Sequence, residues 1–248
     1  MKFYTGIGHR DTPLKMRRVI VDISKKMNAL HYHLRSGGAE GADSFFEVGA
    51  GTRKEIYLPW KGFNDSMSQL HTIRDEDMEK VEQWYNDYTP HRPFSEIKEG
   101  ARKLFTRNYY QLVGYDNTKS RYVFYYGDEN AEGTVMGGTG FALYMATQLK
   151  IPIYNVKDPE QYKKIVGIIN REKYLFIMSA IKHMYLFHYD EIKQADKKAI
   201  EILSEVELSD LKEYEELRHA MMSKFKEYSH LVEYKDIKLG SRVNLDET

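Results

Sequence analysis

Gly37-Gly38-Ala39-Glu40-Gly41-Ala42-Asp43 stands between two stretches of different character. The run from Tyr32 to Arg35, ending at Ser36, reads as a strand, and the residues from about Ala42 to Val48 read as a helix. Glycines at such a junction let the chain turn sharply and admit a ligand to the backbone with no Cβ in the way. The helix that follows points its positive end at the same place. Two other segments repeat the pattern. Gly6-Ile7-Gly8-His9-Arg10 follows a strand from Lys2 to Thr5 and precedes a helix opened by Pro13, with Met16, Val19, Ile20, Ile23 and Met27 at helical spacing. Gly137-Gly138-Thr139-Gly140 leads into a helix from about Gly140 to Leu149. A parallel sheet gathers the carboxyl ends of its strands at one edge, so the three turns are expected to converge there as a nucleotide pocket.

The rest of the chain fits between these turns. A third strand, Glu55 to Leu58, stops at Pro59 and Trp60, and a polar excursion over 61–93 contains one helix. A helix from Phe94 to Val113 carries Arg102, Arg107 and Asn108 and precedes the clearest strand, Arg121-Tyr122-Val123-Phe124-Tyr125-Tyr126, whose run suits burial on both faces. After the polar loop Gly127 to Gly133 and the third turn comes a last strand, Ile151 to Val156. Alternating strands and helices predict an α/β fold, a Rossmann-like parallel sheet with flanking helices. Beyond Asp158 the sequence turns to helix-forming Lys, Glu, Leu, Ile and Met, with helices expected near 159–188, 190–205 and 208–230 and a polar tail over 235–248. The domain reading is therefore 1–157 for the nucleotide-binding sheet and 158–248 for an all-helical extension that acts as a cover, a lid or a homo-oligomer interface.

Composition narrows the partners. With 248 residues, 42% of them hydrophobic, the chain can bury an independent core. Its 37 basic and 37 acidic side chains cancel, leaving no overall field toward duplex DNA or an anionic membrane. Cysteine is absent, which removes disulfides, thiol nucleophiles and cysteine-ligated zinc and suits a reducing cytoplasm. Neither a signal peptide nor a membrane span is expected, and no cofactor. His31 and His33 alternate on one strand, and His183 and His188 lack the i, i+4 spacing of a metal pair, so no metal is expected either. Twenty tyrosines offer ring faces for bases or, more ordinarily, core.

Individual residues carry the chemistry, each with a plainer alternative. Gly6 and Gly8 admit phosphate or simply make a turn. Arg10 supplies a planar donor fork for phosphate or a surface ion pair. Ser36, Gly37, Gly38 and Ala39 form the second cradle. Glu40, inside that turn, could reach a sugar and stabilise an oxocarbenium-like transition state. Asp43, one turn into the helix, could hold a ribose hydroxyl, complement the dipole or accept from buried backbone. Arg107 could pair with phosphate and Asn108 with a base or ribose, or the two could cap or bridge. Thr139 could donate to a ligand and cap the third helix. Asp128, Glu129 and Glu132 form an acidic loop of solvated charges or carboxylate candidates. Trp60, Phe63, Tyr109 and Tyr110 could stack on a base or fill the core.

The order Gly6-Ile7-Gly8-His9-Arg10-Asp11-Thr12-Pro13, then Arg35-Ser36-Gly37-Gly38-Ala39-Glu40-Gly41-Ala42-Asp43, then Glu55-Ile56-Tyr57-Leu58-Pro59-Trp60 resembles the SLOG superfamily of Rossmann-like proteins, which includes DprA, LOG and YpsA-like members. The branch most similar is the DprA-like one common in phage genomes, matched also by Arg107-Asn108 and Gly138-Thr139-Gly140. The resemblance covers about residues 1–157. It implies a nucleotide-derived ligand at the carboxyl edge of the sheet, used for single-stranded DNA binding, N-glycosidic cleavage or sensing of a nucleotide signal. Two departures matter. His9 stands where many relatives have serine, and the glutamate that follows the third turn in LOG hydrolases is missing from Gly140-Phe141-Ala142-Leu143-Tyr144. The resulting expectation is a nucleotide or ribose-phosphate binder, with Glu40 and Asp43 as the catalytic candidates if it hydrolyses its ligand, and single-stranded DNA binding as the alternative.

Overall fold

The computed structural model describes residues 1–130 and 133–187. In chain order the elements are β1 (Lys2–Gly8), α1 (Leu14–Ala29), β2 (Tyr32–Ser36), α2 (Ala42–Ala50), β3 (Lys54–Ile56), α3 (Asp75–Tyr88), α4 (Glu99–Val113), β4 (Val123–Tyr126), α5 (Gly137–Gln148), β5 (Ile153–Asn155) and α6 (Pro159–Phe187). Short 3-10 turns lie at Phe63–Asp65 and Phe94–Glu96. The chain divides into two units, Met1–Gly167 and Ile168–Thr248. The first holds the sheet, and the described part of the second is the continuation of α6. The helices expected over 190–205 and 208–230, and the polar tail, lie outside the described residues.

All strands are parallel, in the order β3-β2-β1-β4-β5. The chain builds outward from β1 through β2 to β3, then returns by α3 and α4 to the other side of β1. The strand order therefore reverses between β1 and β4, which is where an open α/β sheet leaves a crevice at its carboxyl edge. Alternation along β1 assigns the two faces. Tyr4 donates to or accepts from Ser24 of α1 (2.7 Å), and Gly6 lies against Phe46 of α2, whereas Thr5 donates to the carbonyl of Gln111 on α4 (2.6 Å). Ile7 joins the larger core, with Tyr85, Tyr110, Tyr125 and Phe141. Among the described residues, tyrosines serve as packing: Tyr57, Tyr110 and Tyr115 contact one another edge-on or tilted, and Tyr85 packs on Phe94, Phe105 and Phe141.

Several boundaries differ from the sequence reading, each for a physical reason. β1 runs on to Gly8 because Gly6, Ile7 and Gly8 pair with Phe124, Tyr125 and Tyr126, so the first turn begins at His9 rather than Gly6. Low strand propensity of glycine hid this, yet both glycines are packing residues. A Cβ on Gly6 would come 2.5 Å from Phe46 Cγ, and one on Gly8 would come 2.7 Å from Ala42 Cβ. β3 is short because Tyr57 and Leu58 leave it to bridge Leu70. α5 starts at Gly137, before the expected Gly140, with Gly137 at φ 72° and Met136 as the cap residue. Thr139 therefore lies inside the first turn and does not cap it.

Two buried features lock the frame. Arg35 is 1% exposed, and its guanidinium donates to Glu55 (2.7 Å), Asp116 (3.3 Å) and the Thr118 carbonyl while lying 3.6 Å over the Phe3 ring. It ties the α4–β4 connection to the strands and is a structural charge. Gly140 seats the start of α5: a Cβ there would fall 2.7 Å from the Val135 carbonyl carbon and closer still to its oxygen. Because that neighbour is backbone, Gly140→Ala is expected to cost about 2–3 kcal/mol or more, read as a lowered urea midpoint at unchanged slope.

Candidate ligand-binding cleft

A cleft of about 380 Å³ lies at the β1–β4 reversal. Its walls come from Ile7 to Asp11 at the end of β1, from Ala39 and Asp43, from one face of α4, and from Met136 to Thr139 with Ala142 on α5. The volume falls in the roughly 300–1,000 Å³ range of small-molecule sites, near its lower end, and suits one nucleotide-sized ligand.

Asp43 is the joint of the site. It is 3% exposed, and its carboxylate accepts N–H bonds from Gly8 (3.2 Å), Gly37 (3.1 Å) and Ala39 (3.5 Å), stitching the end of β1 to the β2–α2 connection. Arg107 faces it, Nη1 to Oδ2 at 3.6 Å. Burial pushes the Asp43 carboxyl up to about 6, with Arg107 and the backbone donors pulling the other way. Burial likewise pushes the Arg107 guanidinium down, with Asp43 opposing and the nearby charge of Arg10 adding to the effect. With both oxygens engaged, Asp43 shapes the loops; among its three candidate roles, acceptance from buried backbone is the one its contacts display.

The other site residues separate into two groups. Gly8, His9, Arg10, Ala39, Arg107, Asn108, Gly137, Gly138 and Thr139 line the cleft with Asp43. Asn108 also donates through Nδ2 to the Gly138 carbonyl (3.1 Å), so this side chain holds the first turn of α5 in place. Gly6, Ser36, Gly37, Gly38, Glu40 and Gly140 are not among the lining residues. Ser36 is buried and donates to the Gly6 carbonyl (2.7 Å). Gly37 makes room for the Arg107 guanidinium, which occupies the position of its missing Cβ. Gly38, at φ 63°, turns toward Leu58 and Ile56. Glu40 is exposed to solvent, away from the lining.

Of the remaining candidates, Tyr109 and Tyr110 belong to the larger core, and Phe63 packs with Ala39, Ile56 and Leu58 while its ring meets Trp60 edge-on. Glu129 accepts from Tyr125 (2.9 Å) and Asn155 (3.0 Å), and Asp128 pairs with Lys157, while both carboxylates stay exposed to solvent; Glu132 lies outside the described residues. Among the described residues, no three His, Asp or Glu side chains group to hold a metal, and no helix is long and apolar enough to cross a membrane.

Sequence reading missed Leu104, Phe105 and Gln111, all lining residues on α4. Their spacing held the signal: Leu104, Arg107, Asn108 and Gln111 recur at three and four residues and share one helix face. The donors around the cleft are therefore backbone N–H groups at the uncapped start of α5, the guanidinia of Arg10 and Arg107, and the side chains of His9, Thr139 and Gln111. Such a set favours an anionic, acceptor-rich group.

No family model matches the chain, and no curated protein matches it. Among solved structures, it is similar to DNA processing protein A from Helicobacter pylori, described for its single-stranded DNA binding mode, with a TM-score of 0.43 and 14% identity over 68% of this chain and 79% of that chain.

Proposed function

We propose that the cleft binds a nucleotide or ribose-phosphate derivative, with its phosphate at the start of α5 and against Arg107. The supporting observation is Arg107 itself. It is 5% exposed, its Nε lacks a hydrogen-bond partner, and its nearest counter-charge, Asp43, is already committed to three N–H groups. A buried cation in that condition is stabilised by an incoming anion. The uncapped first turn of α5 adds backbone donors on the same cleft.

Binding without hydrolysis is the preferred form. Glycosidic cleavage needs a carboxylate beside the anomeric carbon, and the two carboxylates that line the cleft are Asp43, engaged in the loops, and Asp11, exposed. The second reading, single-stranded DNA, rests on Arg10, Lys15, Arg17 and Arg18, all exposed on the stretch leading from the cleft into α1. Cations of this kind track a backbone and give steep salt dependence.

A thermal-shift panel of nucleotides, nucleosides and ribose phosphates tests the first reading, with Gly138→Val as its control. A Cβ at Gly138 meets nothing closer than Phe105 at 3.9 Å, so the variant is expected to fold and to add bulk to the cleft lining. Phosphate-bearing ligands are expected to raise the melting temperature of the wild type, and Gly138→Val to weaken them on the order of tenfold or more. Saturable, salt-sensitive binding of oligothymidine with no nucleotide response moves the assignment to the second reading.

A further inference from the structure

Resting on that reading, we infer that Gln111 sets ligand specificity through an unfilled donor buried just beneath the cleft floor, which pairs with an acceptor-only group, the phosphate of the ligand. Gln111 is 1% exposed and lines the cleft, and its Nε2 has no hydrogen-bond partner. Its backbone is accounted for separately, since its carbonyl accepts from Thr5 (2.6 Å). The amide nitrogen lies 2.7 Å from the Cβ position that Gly37 leaves empty, and the Arg107 guanidinium occupies that same notch. One turn apart on α4, the two side chains therefore bring donors together: Gln111 Nε2 and Arg107 Nε are both buried and both unpartnered. A buried unpartnered donor is costly, and among the described residues the other buried side-chain polar atom without a partner is Arg102 Nε.

The chemistry of the occupant follows from what the floor lacks. The acceptor beside it, the Asp43 carboxylate, is filled by Gly8, Gly37 and Ala39. A base edge carries donors as well as acceptors and would set its own N–H groups against these. A phosphate presents acceptors alone, and its charge answers the guanidinium. Gln111 thus distinguishes phosphorylated ligands from nucleosides.

Gln111→Met tests this in the full chain. It keeps an unbranched side chain of similar volume and removes the amide. The expected result is a split: a melting temperature equal to or above that of the wild type, because an unmet donor has gone, together with a loss of affinity for AMP and for inorganic phosphate on the order of tenfold. Gln111→Glu should divide the same way, since its carboxylate occupies Arg107 internally and repels the incoming phosphate. A lowered melting temperature in Gln111→Met with phosphate affinity unchanged would overturn the inference, showing an amide that supports Arg107 from within. Failure of the wild type itself to bind either probe defeats the nucleotide reading, and a melting temperature that then falls in Gln111→Met defeats the donor assignment separately.

Discussion

Asp43→Ala is expected to lose about 3–5 kcal/mol, enough to leave much of the chain unfolded at physiological temperature. The alanine strands three N–H groups, of Gly8, Gly37 and Ala39, the last two buried, and leaves Arg107 without its counter-charge. Asp43→Asn is expected to be milder, since it retains an acceptor oxygen and burial already favours the neutral acid. The sign of the pH dependence follows. The folded carboxyl takes up its proton at about 6 against an ordinary 3.8, so between those values the folded state holds more protons than the unfolded one. This group's contribution to stability therefore rises as pH falls through about 6. Urea midpoints at about pH 7.5 and about pH 5 should show that rise in the wild type and not in Asp43→Asn. Equal midpoints for Asp43→Ala and wild type would show that the two loops are held by something other than this carboxylate.

Gly37→Ala has the second large effect, and it falls on binding more than on folding. The added methyl would occupy the place of Arg107 Nη1 and lie 2.7 Å from Gln111 Nε2. Both obstacles are the far ends of flexible side chains, so the backbone stays and the guanidinium and amide move. Stability is expected to fall by about 1–3 kcal/mol, whereas phosphate affinity drops more than about tenfold because the buried donors are displaced together. Circular dichroism establishes the fold, and an AMP titration reads the loss. Undiminished AMP binding by a folded Gly37→Ala would place the anion somewhere other than the Arg107 notch.

How much of this was legible in the sequence depends on what each residue answers to. The alternation of strand and helix, and the parallel sheet it predicts, are local patterns, and the runs Tyr32–Ser36 and Val123–Tyr126 show them directly. Gly6 and Gly8 hid the end of β1 because glycine has two meanings: it allows a turn, and it clears space for a neighbour. Only the pairing with β4 and the packing of Phe46 and Ala42 show that the second applies. Gly37 is a similar case, since its vacancy is filled by a side chain seventy positions away in sequence. Glu40 shared a turn with cleft residues yet faces solvent, as adjacency along the chain does not fix direction. Gln111 had a readable cue, its helical spacing from Arg107, but an unpartnered amide becomes visible only once its surroundings are known.

If the β1–β4 cleft recognises phosphate on a nucleotide, a ligand that lacks the phosphate should not bind. Calorimetric titration of the full chain with AMP and, separately, with adenosine tests it most directly. The expected result is one-to-one binding of AMP that inorganic phosphate competes away, with no measurable heat from adenosine. Adenosine binding as tightly as AMP, or binding of neither while oligothymidine saturates, would contradict it.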